Sequence, residues 1–185
     1  MSYNFNIACI NQCTEAEGPG KRFAIWFQGC EKRCDGCCNP ELFDFKPVNI
    51  LSLDKIVNII SEAKRRFSIE GVTFLGGEPT LQQGLPELSK KIRDMGLGII
   101  LFTGRNIDEL DTWLKFSVDI IIDGGFEAGN QDNERNLIGS KNQHLIYITE
   151  RYRPFEEWFY IPRPKRMEIN ISGESGLFMT GDKIM

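Results

Sequence analysis

The sequence predicts an α/β fold in which about six strand–helix steps form an open sheet or a partial barrel. Short apolar runs end at glycines, as buried strands do, and segments with one apolar helical face alternate with them. This alternation is typical of a parallel sheet covered by helices. The 185 residues hold fewer than the eight steps of a closed barrel. Because no linker rich in Pro or Ser divides the chain, we expect one domain spanning residues 1–185.

The first half of the chain contains two strand–helix steps. An apolar, aromatic-rich run predicts a strand at residues 22–27. Apolar residues then recur on one helical face over residues 53–67, and Ser52 is suited to cap that helix. A second strand is predicted at residues 71–75, and a second helix over residues 85–95. These two steps position the sequence motifs described below.

The second half continues the pattern and then changes. Residues 99–102 form a predicted buried strand, after which Asn106 and Glu109 resemble a capping box for a helix that extends through Leu114. Another strand is predicted at residues 118–122. A polar loop follows at 127–142, long enough to suggest a function, and two late strands at 145–148 and 167–171 complete the prediction.

Charge and hydropathy exclude several classes of partner. The chain has 22 Lys and Arg against 26 Asp and Glu, a net charge of −4, with no long basic run, which argues against a nucleic-acid partner. No apolar stretch approaches the roughly 18–20 residues of a membrane helix, and the N-terminus lacks the pattern of a secretory signal. We therefore expect a cytoplasmic protein with no membrane partner, whose six cysteines are thiols suited to bind metal.

Three cysteines follow the first predicted strand with the spacing C-x3-C-x2-C: Cys30, Cys34 and Cys37. Soft thiolates suit zinc or an iron–sulfur cluster. Three ligands on a four-iron cluster leave one iron open for chemistry. The alternative is a structural zinc site with Cys38 as the fourth ligand, but adjacent cysteines rarely both reach one ion. The non-enzymatic hypothesis is accordingly a zinc or electron-transfer module.

A glycine-rich segment, Gly76-Gly77-Glu78-Pro79, ends the second predicted strand. Ligands of parallel-sheet folds bind at the carboxyl ends of the strands, and the cysteine loop lies at that same end. The missing side chains of Gly76 and Gly77 would let the backbone approach a ligand. The zinc-module hypothesis leaves this segment without a role, so the two motifs together favour an enzyme.

The two motifs resemble those of the radical S-adenosylmethionine superfamily, and the resemblance runs from about residue 15 to residue 125. The segment Glu17–Arg22 before the strand is similar to the activases of glycyl radical enzymes. Within these, the chain most resembles the activating proteins of anaerobic ribonucleotide reductase, through the following segments: Asp35-Gly36-Cys37, Asn39-Pro40, Thr103-Gly104, Asp123-Gly124 and Gly139–Gln143. The fold implied is a partial (β/α)6 barrel of the radical S-adenosylmethionine type.

The resemblance implies two cofactors and their binding residues. The three cysteines of the motif would bind a [4Fe-4S] cluster, whose fourth iron would be chelated by S-adenosylmethionine. Gly76, Gly77, Glu78 and Pro79 would line the methionine amino group. Thr103 and Gly104, after the next strand, would contact its carboxylate or the ribose. No further catalytic residue is implied.

The resemblance also implies an activity. Reductive cleavage of S-adenosylmethionine would give a 5′-deoxyadenosyl radical, used to generate a glycyl radical on a partner enzyme of the anaerobic ribonucleotide reductase type. A flavodoxin or ferredoxin would be the reductant. The alternative is a radical S-adenosylmethionine enzyme that modifies a small molecule, as in the deazapurine pathway, or a peptide.

At several positions the chain departs from the family pattern or adds to it. Gly36 stands where many members of the superfamily have an aromatic residue before the third cysteine, and Cys38 stands where close relatives often have Tyr. The residues that contact the adenine are therefore not given by the motif. Cys9 and Cys13 precede the first predicted strand and are interpreted as reduced, apolar residues.

Overall fold

The structure, a computed structural model, describes residues 3–161, 167–172 and 176–181. The strands are β1 (Asn4–Thr14), β2 (Arg22–Phe27), β3 (Asn49–Ser52), β4 (Gly71–Gly76), β5 (Gly98–Phe102), β6 (Ile120–Asp123), β7 (His144–Tyr147), β8 (Met167–Ser172) and β9 (Gly176–Gly181). The helices are α1 (Leu53–Phe67), α2 (Leu85–Asp94), α3 (Thr112–Lys115) and α4 (Glu156–Tyr160). No helix in these ranges is long and apolar enough to cross a membrane.

Seven strands form one open sheet in the order β3-β1-β2-β4-β5-β6-β7. Strands β2, β4, β5 and β6 are parallel, whereas β1, β3 and β7 pair antiparallel at the two sides. The α/β class and the unclosed sheet are confirmed. The described sheet has four parallel strands where about six strand–helix steps were expected, because antiparallel strands occupy its flanks. Strands β8 and β9 pair separately.

The predicted strands and the first two helices are confirmed, and apolar residues of β2, β4, β5, β6, α1 and α2 fill the core. Helix α1 begins as predicted, with the backbone N–H of Lys55 donating to the Ser52 hydroxyl at 3.3 Å. On the helix-covered face of the sheet, the core contains Phe23, Ile25, Phe27, Ile56, Ile60, Phe74, Leu88, Ile92 and Leu101. This packing fixes β2, β4 and β5 side by side, with their carboxyl ends at one edge.

The opposite face of the sheet, here called the inner face, is covered differently. Ala24 and Trp26 of β2 alternate with the residues that face the helices, and they pack with Leu42 of the loop that follows β2. Ile100 and Ile120 form a second inner cluster with Tyr152. The inner face therefore carries aliphatic and aromatic side chains.

Three described strands were not predicted from the sequence, namely β1, β3 and β9. Strand β1 contains three asparagines, which are depleted in strands, and its pairing with both β2 and β3 overrides that preference. Cys9 and Cys13 consequently lie within β1, not in a segment before the first strand. Burial raises the pKa of the Cys9 thiol to about 12, which keeps this thiol protonated and unreactive.

The predicted helix from Asn106 through Leu114 is wrong as one continuous element. The capping box between Asn106 and Glu109 is present, but it caps only a short 3-10 turn. Leu110 then adopts an extended backbone conformation with ψ 144°, and Asp111 caps the separate helix α3 by accepting from the N–H of Trp113. A second cap, at Asp111, five residues after Asn106, therefore divides the segment.

Candidate active site

A cavity of about 120 Å³ lies at the carboxyl edge of the parallel strands. It is lined by residues from the cysteine loop, from the ends of β4 and β5, and from the loop after β6: Cys30, Lys32, Cys34, Cys37, Phe43, Gly76, Gly77, Glu78, Phe102, Thr103, Gly104, Gly124, Phe126 and Gln143. All the predicted site residues except Pro79 are among them. The two sequence motifs therefore meet at one site.

The cysteine loop is held by the segment that follows it. The N–H groups of Gly29 and Cys30 donate to the carbonyls of Leu42 and Phe43, at 3.0 and 3.2 Å. The loop turns back on itself at Gly36, whose φ of 70° favours glycine, and the N–H of Cys37 donates to the Cys34 carbonyl. These bonds bring three cysteines spaced over eight residues to one wall of the cavity.

Backbone N–H groups point at two of the three sulfurs. Burial raises the pKa of the Cys30 thiol, and the N–H groups of Arg33 and Lys32 oppose that rise by hydrogen bonding to the sulfur. The N–H of Asn39 donates to Sγ of Cys37 at 3.4 Å. The pKa of the Cys37 thiol is raised by its hydrogen bond to the Cys38 thiol and by burial. Metal loading must remove these protons, and the N–H groups stabilise the resulting thiolates.

The donor set fits an iron–sulfur cluster. All six cysteines are free thiols. Among the described residues, no three His, Cys, Asp or Glu side chains form a group that could hold a single metal ion. A cubane cluster instead places each thiolate on a different iron, and three thiols facing one cavity provide for that.

The glycine pair at the end of β4 was expected to make room for a ligand, but contacts within the protein require it. A Cβ atom on Gly77 would lie 2.2 Å from the Gly29 carbonyl oxygen, and one on Gly76 would lie 2.3 Å from the Phe27 nitrogen. The N–H groups of Gly77 and Glu78 donate to the Phe27 and Gly29 carbonyls, both at 2.8 Å. The close approach is thus between the ends of β2 and β4. The glycines hold the base of the cysteine loop.

Glu78 connects β4 to β5. Its carboxylate is fully buried, and Oε1 accepts from Oγ1 of Thr103 at 2.8 Å and from the N–H and hydroxyl of Thr80 at 3.1 and 2.6 Å. Oε2 accepts from the N–H of Gly104 at 2.8 Å. Pro79 is buried at the start of a 3-10 turn, away from the cavity lining. The carboxylate therefore fixes Thr103 and Gly104 against the end of β4.

Three phenylalanines that the sequence analysis did not predict also line the cavity: Phe43, Phe102 and Phe126. Phe102 could have been found from strand alternation, because it shares the inner face with Ile100. Phe43 and Phe126 come from loops far apart in sequence, so no local signal marks them. Two ion pairs close the rim, Lys32 with Glu109 and Arg105 with Glu31, at 3.5 and 2.5 Å.

Comparisons with known proteins agree with this site. The family described as 4Fe-4S single cluster domain matches residues 16–146. The chain is 30% identical to the anaerobic ribonucleoside-triphosphate reductase-activating protein of phage T4 over 148 residues, covering 76% of this chain and 93% of that protein. For the Escherichia coli K12 protein of the same name, the identity is 29%, covering 71% and 91%. The pyruvate formate-lyase-activating enzyme of Staphylococcus epidermidis is 28% identical, covering 78% of this chain and 62% of that enzyme.

A solved structure of QueE from Escherichia coli matches 56% of this chain and 53% of that chain, with a TM-score of 0.41 and 18% identity. That likeness is too low to carry an argument.

The family match covers most of the chain, including the cysteine loop and the ends of β4, β5 and β6. The chain belongs to this 4Fe-4S family and is a radical S-adenosylmethionine enzyme of the activase class. The cofactors of that class are a [4Fe-4S] cluster and S-adenosylmethionine.

Proposed function

We propose that this enzyme reductively cleaves S-adenosylmethionine and generates a glycyl radical on a partner enzyme of the anaerobic ribonucleotide reductase type. The proposal rests on one observation: three free thiols and the glycine-containing ends of β4 and β5 line the same cavity. The names of the phage T4 and Escherichia coli relatives support the choice of partner. Residues 1–185 are proposed to act as one domain.

In this proposal, Cys30, Cys34 and Cys37 would hold the cluster through three of its irons, in a cavity that Gly77 and Thr103 also line. When bound and reduced by the partner reductant, the cluster would supply the one electron that cleaves S-adenosylmethionine to methionine and a 5′-deoxyadenosyl radical, the species that would take hydrogen from the target. The backbone N–H groups that donate to the sulfurs of Cys30 and Cys37 stabilise the two thiolates, and such hydrogen bonds are one of the controls on cluster potential.

The ends of β4 and β5 are proposed to hold the methionine part of S-adenosylmethionine. The backbones of Gly76 and Gly77 line the amino group, and Thr103 and Gly104 contact the carboxylate or the ribose. Glu78 contributes by positioning, since its carboxylate oxygens already accept from Thr103 and Gly104. Pro79 keeps its place in the segment as the first residue of the 3-10 turn that Glu78 caps by accepting from the N–H of Thr80.

The aromatic residues around the cavity are proposed to limit the access of water to the radical. The phenylalanine rings that line the cavity leave little polar surface, and the buried core lies directly beneath the strand ends. A water-poor site protects a reactive radical from quenching. The reductant is proposed to be a flavodoxin or ferredoxin and the location cytoplasmic, both of which follow from the class of enzyme.

The first test is anaerobic reconstitution with iron and sulfide, followed by reduction and addition of S-adenosylmethionine. We expect four irons per chain and formation of 5′-deoxyadenosine. Cys34→Ala should lose both, whereas Cys38→Ala, a matched change of a neighbouring exposed thiol, should keep both. A colourless wild-type protein that holds zinc and forms no product would refute the proposal.

The second test addresses the partner. The loaded enzyme is incubated with purified anaerobic ribonucleotide reductase and, separately, with pyruvate formate-lyase, and the glycyl radical is measured by electron paramagnetic resonance. We expect a radical on the reductase. Formation of 5′-deoxyadenosine without a radical on either protein would favour a small-molecule or other peptide substrate.

A further inference from the structure

Phe126 is seated by two glycines that lie far from it in sequence. A Cβ atom on Gly139 would lie 3.0 Å from Cδ2 of the Phe126 ring, and one on Gly36 would lie 3.5 Å from Cε1. Gly36 belongs to the cysteine loop and Gly139 to the end of the polar loop. Gly139 makes room for the ring, because a Cβ there would be closer than ordinary contacts, whereas a Cβ on Gly36 would touch the ring at an ordinary van der Waals distance. The ring lines the cavity beside the cysteines.

The polar loop builds this seat. Oε1 of Gln143 accepts from the N–H groups of Gly139 and Ser140, at 2.9 and 3.1 Å, while its Nε2 donates to the Gly124 carbonyl at 2.9 Å. The N–H of Glu127, next to Phe126, donates to the buried hydroxyl of Ser140 at 3.1 Å. The end of the loop is thus fastened to the segment that carries the ring, so the ring has a fixed position.

The other two rings in the cavity have further contacts. Phe102 packs against the inner cluster around Ile100, and the Arg33 guanidinium lies over the Phe43 ring, 5.7 Å from its centre. Phe126 is absent from the core clusters of the described residues, and its seat is formed by glycines. A ring held against glycines presents a flat apolar surface to whatever occupies the cavity.

We infer that Phe126 is the ring against which the purine of S-adenosylmethionine stacks, and that the polar loop serves to present it. The inference rests on the proposed function. The purine is the flat aromatic part of that molecule, and stacking on an aromatic side chain is favourable for any base. Gly125 places this segment close to the cluster, since a Cβ atom there would lie 3.4 Å from Sγ of Cys34. The seat at Gly36 supplies, from another loop, the ring that the cysteine motif lacks.

The test is equilibrium binding to the iron-loaded enzyme with three probes: S-adenosylmethionine, 5′-deoxyadenosine and methionine. Phe126→Ala should weaken the first two by a similar factor, about 5- to 150-fold, and leave methionine binding unchanged. Phe126→Tyr keeps the ring and should restore binding. Phe116→Ala, a change of an exposed phenylalanine outside the cavity, is the matched control and should alter none of the three.

Two further variants keep the inference falsifiable where Phe126→Ala does not load iron. Phe126→Leu fills the seat without a flat ring, and Gly139→Ala keeps the ring but displaces it; both should weaken nucleoside binding. Equal affinity in Phe126→Leu and wild type, or an equal loss of methionine binding, would overturn the inference. A loaded wild-type enzyme that binds no S-adenosylmethionine would instead overturn the proposed function.

Discussion

Replacement of Glu78 by Gln is expected to loosen the connection between β4 and β5. The carboxylate accepts four hydrogen bonds, three at Oε1 and one at Oε2. An amide has one oxygen, so the least costly orientation keeps that oxygen at Oε1 and turns the NH2 group toward the N–H of Gly104. That N–H then loses its acceptor and faces another donor.

The cost follows from the charge and burial of the lost bond. A hydrogen bond to a charged group contributes about 1.5–3 kcal/mol, and the Gly104 N–H is left without its partner, so we expect a loss of about 2–3 kcal/mol. For a chain of this size, such a loss lowers Tm by about 4–12 °C. Affinity for S-adenosylmethionine should fall in parallel, because Thr103 and Gly104 are no longer fixed. Iron loading should persist, since the cysteines follow β2.

The assay is thermal unfolding of the loaded enzyme under argon, together with iron content and binding of S-adenosylmethionine. Glu62→Gln is the matched control, because this exposed carboxylate pairs with Arg65 on the surface of α1 and its loss should leave Tm unchanged. If Glu78→Gln lowers affinity while Tm stays at the wild-type value, Glu78 contacts the ligand directly. The positioning role assigned to it would then be wrong.

Three other changes have definite expected outcomes. Replacement by Ala of any one motif cysteine, Cys30, Cys34 or Cys37, should abolish four-iron loading, measured by iron content. Cys38→Ala should leave the iron content unchanged. Gly77→Val should impair iron loading as well as S-adenosylmethionine binding, because its side chain would meet the Gly29 carbonyl at the base of the cysteine loop. Burial would raise the pKa of Asp132, but hydrogen bonds from Arg135 and its neighbour outweigh burial and lower it. The stability that Asp132 contributes is therefore present above about pH 4 and lost as pH falls through its lowered pKa, and Asp132→Asn should flatten that part of the Tm–pH profile.

Each of these outcomes has a contrary result that would count against it. Unchanged iron content in one cysteine variant would remove that residue from the ligand set. A Gly77→Val enzyme with full iron and weak binding would restore the original interpretation, in which the glycine makes room for ligand. An Asp132→Asn profile that parallels wild type down to pH 3 would show that the acid-sensitive group lies elsewhere.

The sequence predicted the parallel strands and the first helices because packing and periodicity agree there. The apolar residues of β4 and β5 face a helix layer whose own residues repeat at helical spacing, so local pattern and tertiary structure give one answer. β1 was missed because its asparagines are tolerated only through pairing with strands on both sides. The divided segment after Asn106 was missed because Asp111 caps a second helix within it.

The same distinction separates the predicted and unpredicted parts of the site. The cysteine loop and the Gly-Gly segment are contiguous motifs, and the parallel register that pairs Phe27 with Gly76 brings them together. The reason for the glycines could not be read from the motif, since it depends on how near the end of β2 comes to Gly77. The motif therefore identifies which residues lie together. The close contact that requires glycine at position 77 follows from the register of β2 and β4, which the motif does not contain.

Phe126 shows how a loop can supply what a motif lacks. The cysteine loop turns at Gly36 with a positive φ, and a side chain there would meet Ala128, whose Cβ lies 2.9 Å from the position of the missing Cβ. An aromatic side chain at position 36 would therefore displace the segment that now carries Phe126. The small residue in one loop and the ring in the other form one arrangement, so a change at either position alters the wall of the cavity. The polar loop after β6 is thus tied to the candidate active site through the two residues that flank it, Phe126 and Gln143.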